Sequence, residues 1–469
     1  MKGALYGDDS PIIAFATPPG NSALTLIRCS GSTAVELAAS AFSAPERLKS
    51  SPGNTVVYGW IEKSGEKIDE VLVSVFRSPK SYTGEDSLDI SCHGGLIAGR
   101  AVMEALKACG FRDALPGEFT FRAFMNGKLD LTRSESVMEL VSAKTDTGRR
   151  HAIGRLHGLL YDEINEIKKM LVEVLSGAEI YLDYSEDEIS ADADEIAGIL
   201  PEQSKAQQAL GRLKKLACSW QRQRIYQEGI LAVIAGRPNA GKSSLFNLLL
   251  REERSIVTES PGTTRDWIEA WVSIGGIPVR LADTAGLRET LDPIEKLGVQ
   301  RSREMLEEAS IILYLIDGAE GITAEDRSFF TDNERQKKPV LILWNKSDIA
   351  PRNEPFPFSA YSPISVSAKT GDGLPELTKA ITDAFGELPT EETANVSQAA
   401  ALGTERQKNL VEAACAALEE ALSLSEQNEP LDLIAPLLRE AVNVLGEITG
   451  EVSTADILEE MFSRFCVGK

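Results

Sequence analysis

Cysteine and histidine are scarce in this 469-residue chain, with six of the first and three of the second. The cysteines, Cys29, Cys92, Cys109, Cys218, Cys415 and Cys466, form no CxxC pair, and His93, His151 and His157 show no ligand-like spacing. A His/Cys zinc site is therefore not expected, and scattered thiols fit a reducing cytosol. Basic residues are outnumbered, 49 Lys and Arg against 71 Asp and Glu, for a net charge of −22. That balance argues against broad coating of nucleic acid, whose phosphates attract Lys and Arg. Part of the excess is local: Glu179–Glu195 holds eight carboxylates and no Lys or Arg, the pattern of a solvated acidic face. Long apolar runs are missing as well. Ile311–Ile316 is far too short to span a bilayer, and Met1–Gly20 has no apolar stretch after a basic start. The expectation is a cytoplasmic protein without membrane contact.

At about 150 residues per domain, the length suggests roughly three domains. Three textures follow one another along the chain. Residues 1–130 read as mixed α/β, with short strands at Ile12–Phe15, Ala23–Ile27, Val56–Ile61 and Val71–Phe76. A helix over Leu96–Cys109 is ended by Gly110. From residue 131 the period becomes helical. Ile153, Leu156, Leu160, Ile164, Ile167, Leu171, Val174 and Ala178 step by three and four, which predicts one stripe of a long helix. A second helix is expected from about Glu202 to Gln227. Strand and helix patterns alternate over 229–384. Helices return at Glu405–Leu424, Leu431–Gly446 and Ser453–Phe465. The expected fold class is α/β plus all-α: an N-terminal α/β domain (1–130), a discontinuous helical domain (131–228 and 385–469) and an inserted Ras-like domain with a phosphate-binding loop (229–384).

The chemistry is concentrated in that insert. The apolar strand Ile230–Ala235 feeds Gly236-Arg-Pro-Asn-Ala-Gly241-Lys242-Ser243, a GxxxxGK[ST] loop that opens a helix. Its glycines let the backbone N–H groups of Asn239, Ala240, Gly241 and Ser244 curl around phosphate oxygens at a helix N-terminus. Lys242 is placed for the β- and γ-phosphates, and the Ser243 hydroxyl for Mg²⁺. Asp283, Thr284, Ala285 and Gly286 follow the strand Val279–Ala282: Asp283 suits Mg²⁺ through water, and the Gly286 N–H suits the γ-phosphate. Asn345, Lys346 and Asp348 follow Val340–Trp344. The Asp348 carboxylate can accept from guanine N1 and N2, a pattern adenine does not offer. Ser367, Ala368 and Lys369 follow another strand, on the O6 side of the base. In Gly262-Thr263-Thr264-Arg265-Asp266, Thr264 is a second candidate Mg²⁺ ligand. Four motifs in order, each at the carboxyl end of a strand, match nucleotide binding outside a doubly wound sheet, and the set resembles translation-factor-type GTPases.

Outside the insert the chain carries Ala16-Thr-Pro-Pro-Gly20, Tyr82-Thr-Gly-Glu-Asp86, Cys92-His-Gly-Gly95, Pro116-Gly-Glu-Phe119, Arg122-Ala-Phe124, Gly127-Lys-Leu-Asp-Leu131 and a terminal Cys466-Val-Gly-Lys469. With the domain order, these resemble the MnmE (TrmE) family of tRNA-modification GTPases along essentially the whole length. The resemblance implies a homodimer built through the N-terminal domains and a flavoprotein partner, MnmG (GidA). It implies addition of an aminomethyl or carboxymethylaminomethyl group to C5 of the wobble uridine of certain tRNAs. The one-carbon unit would come from 5-formyl-tetrahydrofolate or a related reduced folate, whose contacts map onto Arg28, Asp89, Lys128 and Lys469. Asp89 departs from the usual Glu and is one methylene shorter. Cys466 is implied as a catalytic thiol.

The resemblance also fills a gap in the insert. Leu287 stands where Ras carries the Gln that orients the attacking water, and an aliphatic chain cannot do that. Glu295 matches the family's acid for this task. A K⁺ ion is expected to be the counter-cation, held by Asn239 and by Thr258, Ser260 and Thr263, with Thr258 and Thr263 also at the nucleotide. The alternative reading is a GTP switch in ribosome assembly, an RNA-binding factor without covalent chemistry. The acidic balance and the absence of a basic RNA-binding module weigh against it.

Overall fold

The structure, a computed structural model, describes residues 6, 8–18, 20–183, 202–252, 255–256, 269–283, 304–336, 338–352, 356–359, 361–385 and 400–468. Two compact units are formed. The first comprises Met1–Met138, Tyr161–Leu210 and Leu410–Lys469; the second comprises Glu139–Leu160 and Gly211–Asn409.

The first unit is built on a six-stranded sheet of order β3-β4-β5-β2-β1-β6. Its strands are β1 (Ile12–Phe15), β2 (Leu24–Ser30), β3 (Thr55–Lys63), β4 (Glu66–Phe76), β5 (Ser87–His93) and β6 (Arg112–Asp113). Side chains alternate between faces, and one set packs into a core. Ile27, Cys29, Val57, Val71, Val73, Val75, Leu88, Ile90 and Cys92 are all buried there. The core is closed by α1 (Ala34–Ser40), α2 (Pro45–Ser50) and α3 (Leu96–Ala108). Burial pushes the Cys92 thiol up to about 11, which makes it an inert packing group. The opposite sheet face keeps large apolar side chains in the open: Leu24 is 60% exposed, Val56 61%, Tyr58 52% and Leu72 48%. Beside the sheet, Glu118 at the start of α4 (Glu118–Met125) is fully buried between two guanidinium groups. Arg112 and Arg122 both donate to its carboxylate, at 2.5 and 3.0 Å. Burial opposes its ionisation, and these donors outweigh burial and hold the carboxyl below its usual range.

Helices α5 (Leu131–Ser142), α6 (Asp146–Leu156) and α7 (Leu159–Asp183) follow. The apolar stripe from Ile153 to Ala178 was expected on one helix, and the structure corrects this. Gly158, at φ +103°, breaks the chain between α6 and α7. The stripe from Leu160 through Ile164, Ile167, Leu171 and Val174 to Ala178 is fully buried on α7 alone. After α8 (Gln203–Glu228), the second unit holds a seven-stranded sheet. Its strands are β7 (Ile230–Gly236), β8 (Ser255–Ile256), β9 (Glu269–Ile274), β10 (Ile277–Asp283), β11 (Ile311–Asp317), β12 (Val340–Asn345) and β13 (Ile364–Ser365). The order is β13-β12-β11-β7-β10-β9-β8, parallel except where β9 turns back on β10 and β8 on β9. Helices α9 (Lys242–Glu252), α10 (Ala324–Gln336) and α11 (Leu374–Ala384) belong to this unit. Continuous apolar runs such as the fully buried β11 are what a parallel sheet covered on both faces requires. The last helices are α12 (Glu405–Glu426), α13 (Leu431–Thr449) and α14 (Ala455–Ser463).

Within the second unit, the N-terminal turn of α6 lies against the β9–β10 hairpin. A side chain at Gly276 would meet the Thr147 hydroxyl at 2.7 Å, and the Lys144 ammonium sits 3.3 Å from the Trp271 ring centroid. On the same helix, the His151 ring meets Tyr226 edge-on at 5.2 Å. Burial first, and then the Arg155 and Arg150 charges, push His151 down to about 4, against a hydrogen bond to Gln223 that raises it. The folded value lies below the unfolded one, so the unfolded chain binds more protons as pH falls from 6.5 toward 4, and stability is lost in that window. Since the ring is only part-buried, the loss is put at about 1–2 kcal/mol, under the full linkage value. Urea unfolding of this unit at pH 7 and pH 5 is therefore expected to show a midpoint drop that His151→Phe reduces by about that amount. An identical drop in the variant contradicts the assignment.

Candidate functional site

In the second unit, β7 lies between two parallel neighbours, β10 on one side and β11 on the other. The chain thus leaves the carboxyl end of β7 at a point where the winding direction changes, which is where open α/β sheets bind ligands. The Gly236–Ser243 loop occupies that point. Gly236 (φ +137°) and Gly241 (φ +99°) take conformations that L side chains resist. A Cβ on Gly236 would lie 2.4 Å from the Leu315 carbonyl oxygen, and one on Gly241 would lie 2.2 Å from Asn345 Nδ2. Asn239 is left-handed too, at φ +63°, and exposed at the loop's crest.

Lys242, 8% exposed at the first turn of α9, donates from Nζ to the carbonyls of Gly236 and Arg237 at 2.7 and 2.8 Å. Burial lowers its pKa, and the Asp283 carboxylate opposes that shift. Ser243 Oγ donates to Asp283 Oδ2 at 2.9 Å, so a hydroxyl and a buried carboxylate converge where β10 ends and α9 begins. Two hard oxygen donors beside the loop suit Mg²⁺, so the residues present fit that ion.

The base side is joined to the phosphate loop by one buried amide. Asn345 is 2% exposed; its Nδ2 donates to the Ala240 carbonyl at 2.7 Å, and its Oδ1 accepts from the Ala368 N–H at 3.0 Å. Lys346, at φ +63°, swings its Nζ to Asp317 Oδ2 at 2.6 Å. Burial favours the neutral form of Asp317, but the Lys346 and Ala319 donors prevail and keep its pKa below the usual range. Asp348 Oδ1 accepts from Ser367 Oγ at 2.9 Å. The structure thus brings together Asn239, Ala240, Gly241, Lys242, Ser243, Ser244, Asp283, Asn345, Lys346, Asp348, Ser367, Ala368 and Lys369. Thr258, Ser260, Thr263, Thr264, Thr284, Ala285, Gly286 and Glu295 lie outside the described residues. Asp317 was missed in the sequence, although it closes an apolar strand as Asp283 does.

A second set of residues lies in the first unit. Arg28 on β2 and Asp89 on β5 are register partners across the antiparallel pair. They bond each other through Nε–Oδ1 at 2.9 Å and Nη2–Oδ2 at 3.0 Å, instead of presenting two separate charges. The hydrogen bond to Asp89 raises the Arg28 pKa against the effect of burial. Tyr82 lies under the Arg28 guanidinium at 5.9 Å, and Lys128 Nζ donates to the Pro79 carbonyl at 3.0 Å. The loop between β4 and β5 therefore links all three residues. Cys466 is exposed, and its carbonyl accepts from the Gly117 N–H at 3.3 Å. Gly468 (φ +95°) passes so close to β1 that a side chain there would lie 2.4 Å from the Phe15 carbonyl oxygen. Lys469 lies outside the described residues. Among the described residues, no cluster of His, Cys, Asp and Glu could hold a metal, and no helix is long and apolar enough to cross a membrane.

Comparison with known proteins places this architecture. The MnmE helical domain description matches residues 131–466, and that of the GTP-binding protein TrmE N-terminus matches residues 11–128. The tRNA modification GTPase MnmE of Treponema denticola is 42% identical over 483 aligned residues, with 100% of both chains covered. This chain belongs to the MnmE family. Another member, the tRNA modification GTPase MnmE of Geobacillus thermodenitrificans, is 41% identical over 98% of this chain and 99% of its own. Among solved structures, Era of Aquifex aeolicus bound to GDP and aluminium fluoride matches 40% of this chain and 66% of its own at 27% identity, with a TM-score of 0.27.

Asn345→Ala removes two hydrogen bonds of about 1–1.5 kcal/mol each from a buried position. GDP affinity, followed with a fluorescent GDP analogue, is expected to fall roughly 100-fold. Unchanged affinity would mean that the two loops hold their positions without this bridge.

Proposed function

We propose that this chain, a GTPase of tRNA modification in the MnmE family, works in the cytoplasm with the flavoprotein MnmG (GidA). Together they install an aminomethyl or carboxymethylaminomethyl group at C5 of the wobble uridine of certain tRNAs. The observation that carries this reading is the end-to-end likeness to proteins named tRNA modification GTPase MnmE, at 42% identity over the full length. Four nucleotide-binding motifs meeting at one end of the 229–384 sheet support the GTPase half of it.

In the mechanism proposed here, the phosphate loop cradles the β- and γ-phosphates with backbone N–H groups, and Lys242 leaves its two carbonyl partners for phosphate oxygens. Ser243 and Thr264 hold Mg²⁺, with Asp283 behind through water. Bound there, the ion neutralises charge developing on the phosphates. Asp348 accepts from the guanine edge, held in place by Ser367. Glu295 orients the attacking water in place of the Gln that Leu287 replaces. Asn239, Thr258, Ser260 and Thr263 hold K⁺ at the same face, where two G domains pair. The subunits form a homodimer through the open face of the N-terminal sheet, whose exposed Leu24, Val56, Tyr58 and Leu72 form a mainly apolar surface. A reduced folate such as 5-formyl-tetrahydrofolate supplies the one-carbon unit when bound beside Arg28, Asp89, Lys128 and Lys469. The Arg28–Asp89 pair offers a planar donor and acceptor edge to such a heterocycle. Cys466 acts as a thiol in the transfer to the base.

One set of assays tests this reading. tRNA from cells carrying only Cys466→Ser is expected to lack the wobble modification, while the purified variant hydrolyses GTP within about twofold of wild type. For both proteins turnover is expected to rise at least tenfold when K⁺ replaces Na⁺. Intact modification in the Cys466→Ser cells removes the thiol from the chemistry, and equal rates in the two salts remove K⁺ from the GTPase site.

A further inference from the structure

The net charge of −22 hides a local excess of the opposite sign in the second unit. Helix α6 holds three arginines and one carboxylate. The part of α8 that belongs to this unit, from Gly211 to Glu228, holds five cations and one carboxylate. The two helices meet along a seam. His151 on α6 touches Tyr226 on α8, Arg155 Nη1 donates to Gln223 Oε1 at 3.5 Å, and a side chain at Gly148 would lie 3.1 Å from the Tyr226 carbonyl oxygen. Some of the charge is neutralised in place: Arg155 is buried on Glu139, and Arg224 donates to Glu228 at 2.7 Å. The rest is not. Arg149 and Arg150 converge on the one carboxylate of Asp146, at 2.8 and 2.7 Å, which leaves a positive charge over. Arg222 is exposed and makes no ion pair among the described residues.

Three groups on this face report the charge around them, and each feels cations. Burial and then the Arg280 charge lower the pKa of Lys144. The charges that lower His151 are those of Arg155 and Arg150. Burial raises Tyr226, and the one charge that acts on it, Arg222, opposes the rise. Arg150 on α6 and Arg222 on α8 thus border the His151–Tyr226 contact from its two helices. The positive surface continues onto the β9–β10 hairpin, where Arg280 is the register partner of Trp271, the ring beneath the Lys144 ammonium. Like charges gathered in this way repel one another and destabilise the free protein, a cost that an incoming polyanion offsets. Neither the nucleotide site nor the proposed folate site uses any of these side chains.

We propose that this face of α6 and α8, with Arg149, Arg150, Arg222 and Lys144, is where the phosphate backbone of the tRNA docks; this rests on the tRNA-modification reading above. The arrangement suits an extended polyanion better than a single small anion, because the cations are spread over two helices and a hairpin. Arg149, Arg150 and Arg222 are all exposed, so they meet phosphates at the surface. Contacts of that kind fix the register and orientation of a nucleic acid and carry no base sequence. Duplex arms of RNA are met in the same way, through phosphates and 2′-hydroxyls, because their deep, narrow major groove keeps base edges out of reach. Exposed Asp146 holds the two α6 guanidinium groups side by side, and a phosphate that joins or displaces its oxygens finds both donors already gathered. An acidic chain with one basic face also steers the tRNA to that face.

The test is binding of fluorescently labelled, unmodified tRNA to the full-length protein, read by anisotropy over a series of KCl concentrations. The triple variant Arg149→Gln, Arg150→Gln, Arg222→Gln is expected to bind at least tenfold more weakly at about 0.1 M salt. The slope of log affinity against log salt is expected to become shallower by about 2, because fewer counterions are released. Its GTP hydrolysis without tRNA is expected to stay within about twofold of wild type, which shows that the second unit is folded. A control with Arg47→Gln, Lys49→Gln and Lys107→Gln, three exposed cations of the first unit, is expected to bind as wild type does. Unchanged affinity and slope in the first variant, or an equal loss in the control, overturns the proposal while the tRNA-modification reading stands. Loss of binding to the flavoprotein partner with tRNA affinity intact assigns the face to a protein and overturns it too. A wild-type protein that neither binds tRNA nor modifies it with its partner overturns that reading and this proposal with it.

Discussion

The hydrogen bonds of one buried side chain, Asn345, set the geometry of the nucleotide site. Its amide spans from the Ala240 carbonyl in the phosphate loop to the Ala368 N–H in the base loop, so the two ends of the site cannot drift independently. The bridge imposes its own demands on the sequence. Position 241 must be glycine, because any Cβ there would collide with the amide nitrogen at 2.2 Å. Position 346 must tolerate φ +63°, so that its side chain turns back to Asp317 while the next residues carry Asp348 to Ser367. These contacts order the site in the protein itself, so less ordering is left to be done on binding. In the proposed function, guanine recognition and phosphate placement would both depend on this one buried contact.

Charge in the first unit follows a different rule. The chain is strongly acidic, yet four of its N-terminal arginines are tied to carboxylates: Arg28 to Asp89, Arg77 to Asp86, and Arg112 and Arg122 to Glu118. Such pairing satisfies buried groups and fixes loops, and it contributes little net stability against an apolar replacement. What it provides is position. The Arg77–Asp86 and Arg122–Glu85 pairs pin both sides of the loop that carries Tyr82 and meets Lys128, while the C-terminal tail is laid across the adjacent strand ends.

Much of this was legible in the sequence, and the parts that were not have identifiable reasons. Alternation and apolar runs located β1 to β4, β7, β10 and β12, though β2 extends to Ser30 and β4 begins at Glu66, where polar residues continue the pairing; β5, with Ser87, Asp89, Ser91 and His93 along one face, was not read as a strand. The motif loops fell at strand ends, because a phosphate-binding glycine loop and a base-reading Asn-Lys-x-Asp each constrain the backbone locally. The break at Gly158 was hidden, because the apolar spacing continues across it while φ does not. The Arg28–Asp89 pair was also hidden: register between strands distant in sequence is set by the sheet, and each residue alone reads as a free charge. The same is true of Asp317 with Lys346 and of Asp69 with His93, whose partners stand 29 and 24 residues away.

The central claim is that Asp348, held by Ser367 within a cradle set by Asn345, reads guanine. Guanine offers N–H donors at N1 and C2 to a carboxylate; xanthine has a carbonyl at C2, which suits an amide instead. The direct measurement is hydrolysis of GTP and XTP by wild type and by Asp348→Asn. Wild type is expected to prefer GTP at least 100-fold in kcat/KM, and the variant to reverse that preference. A variant that still prefers GTP as strongly as wild type would contradict the account.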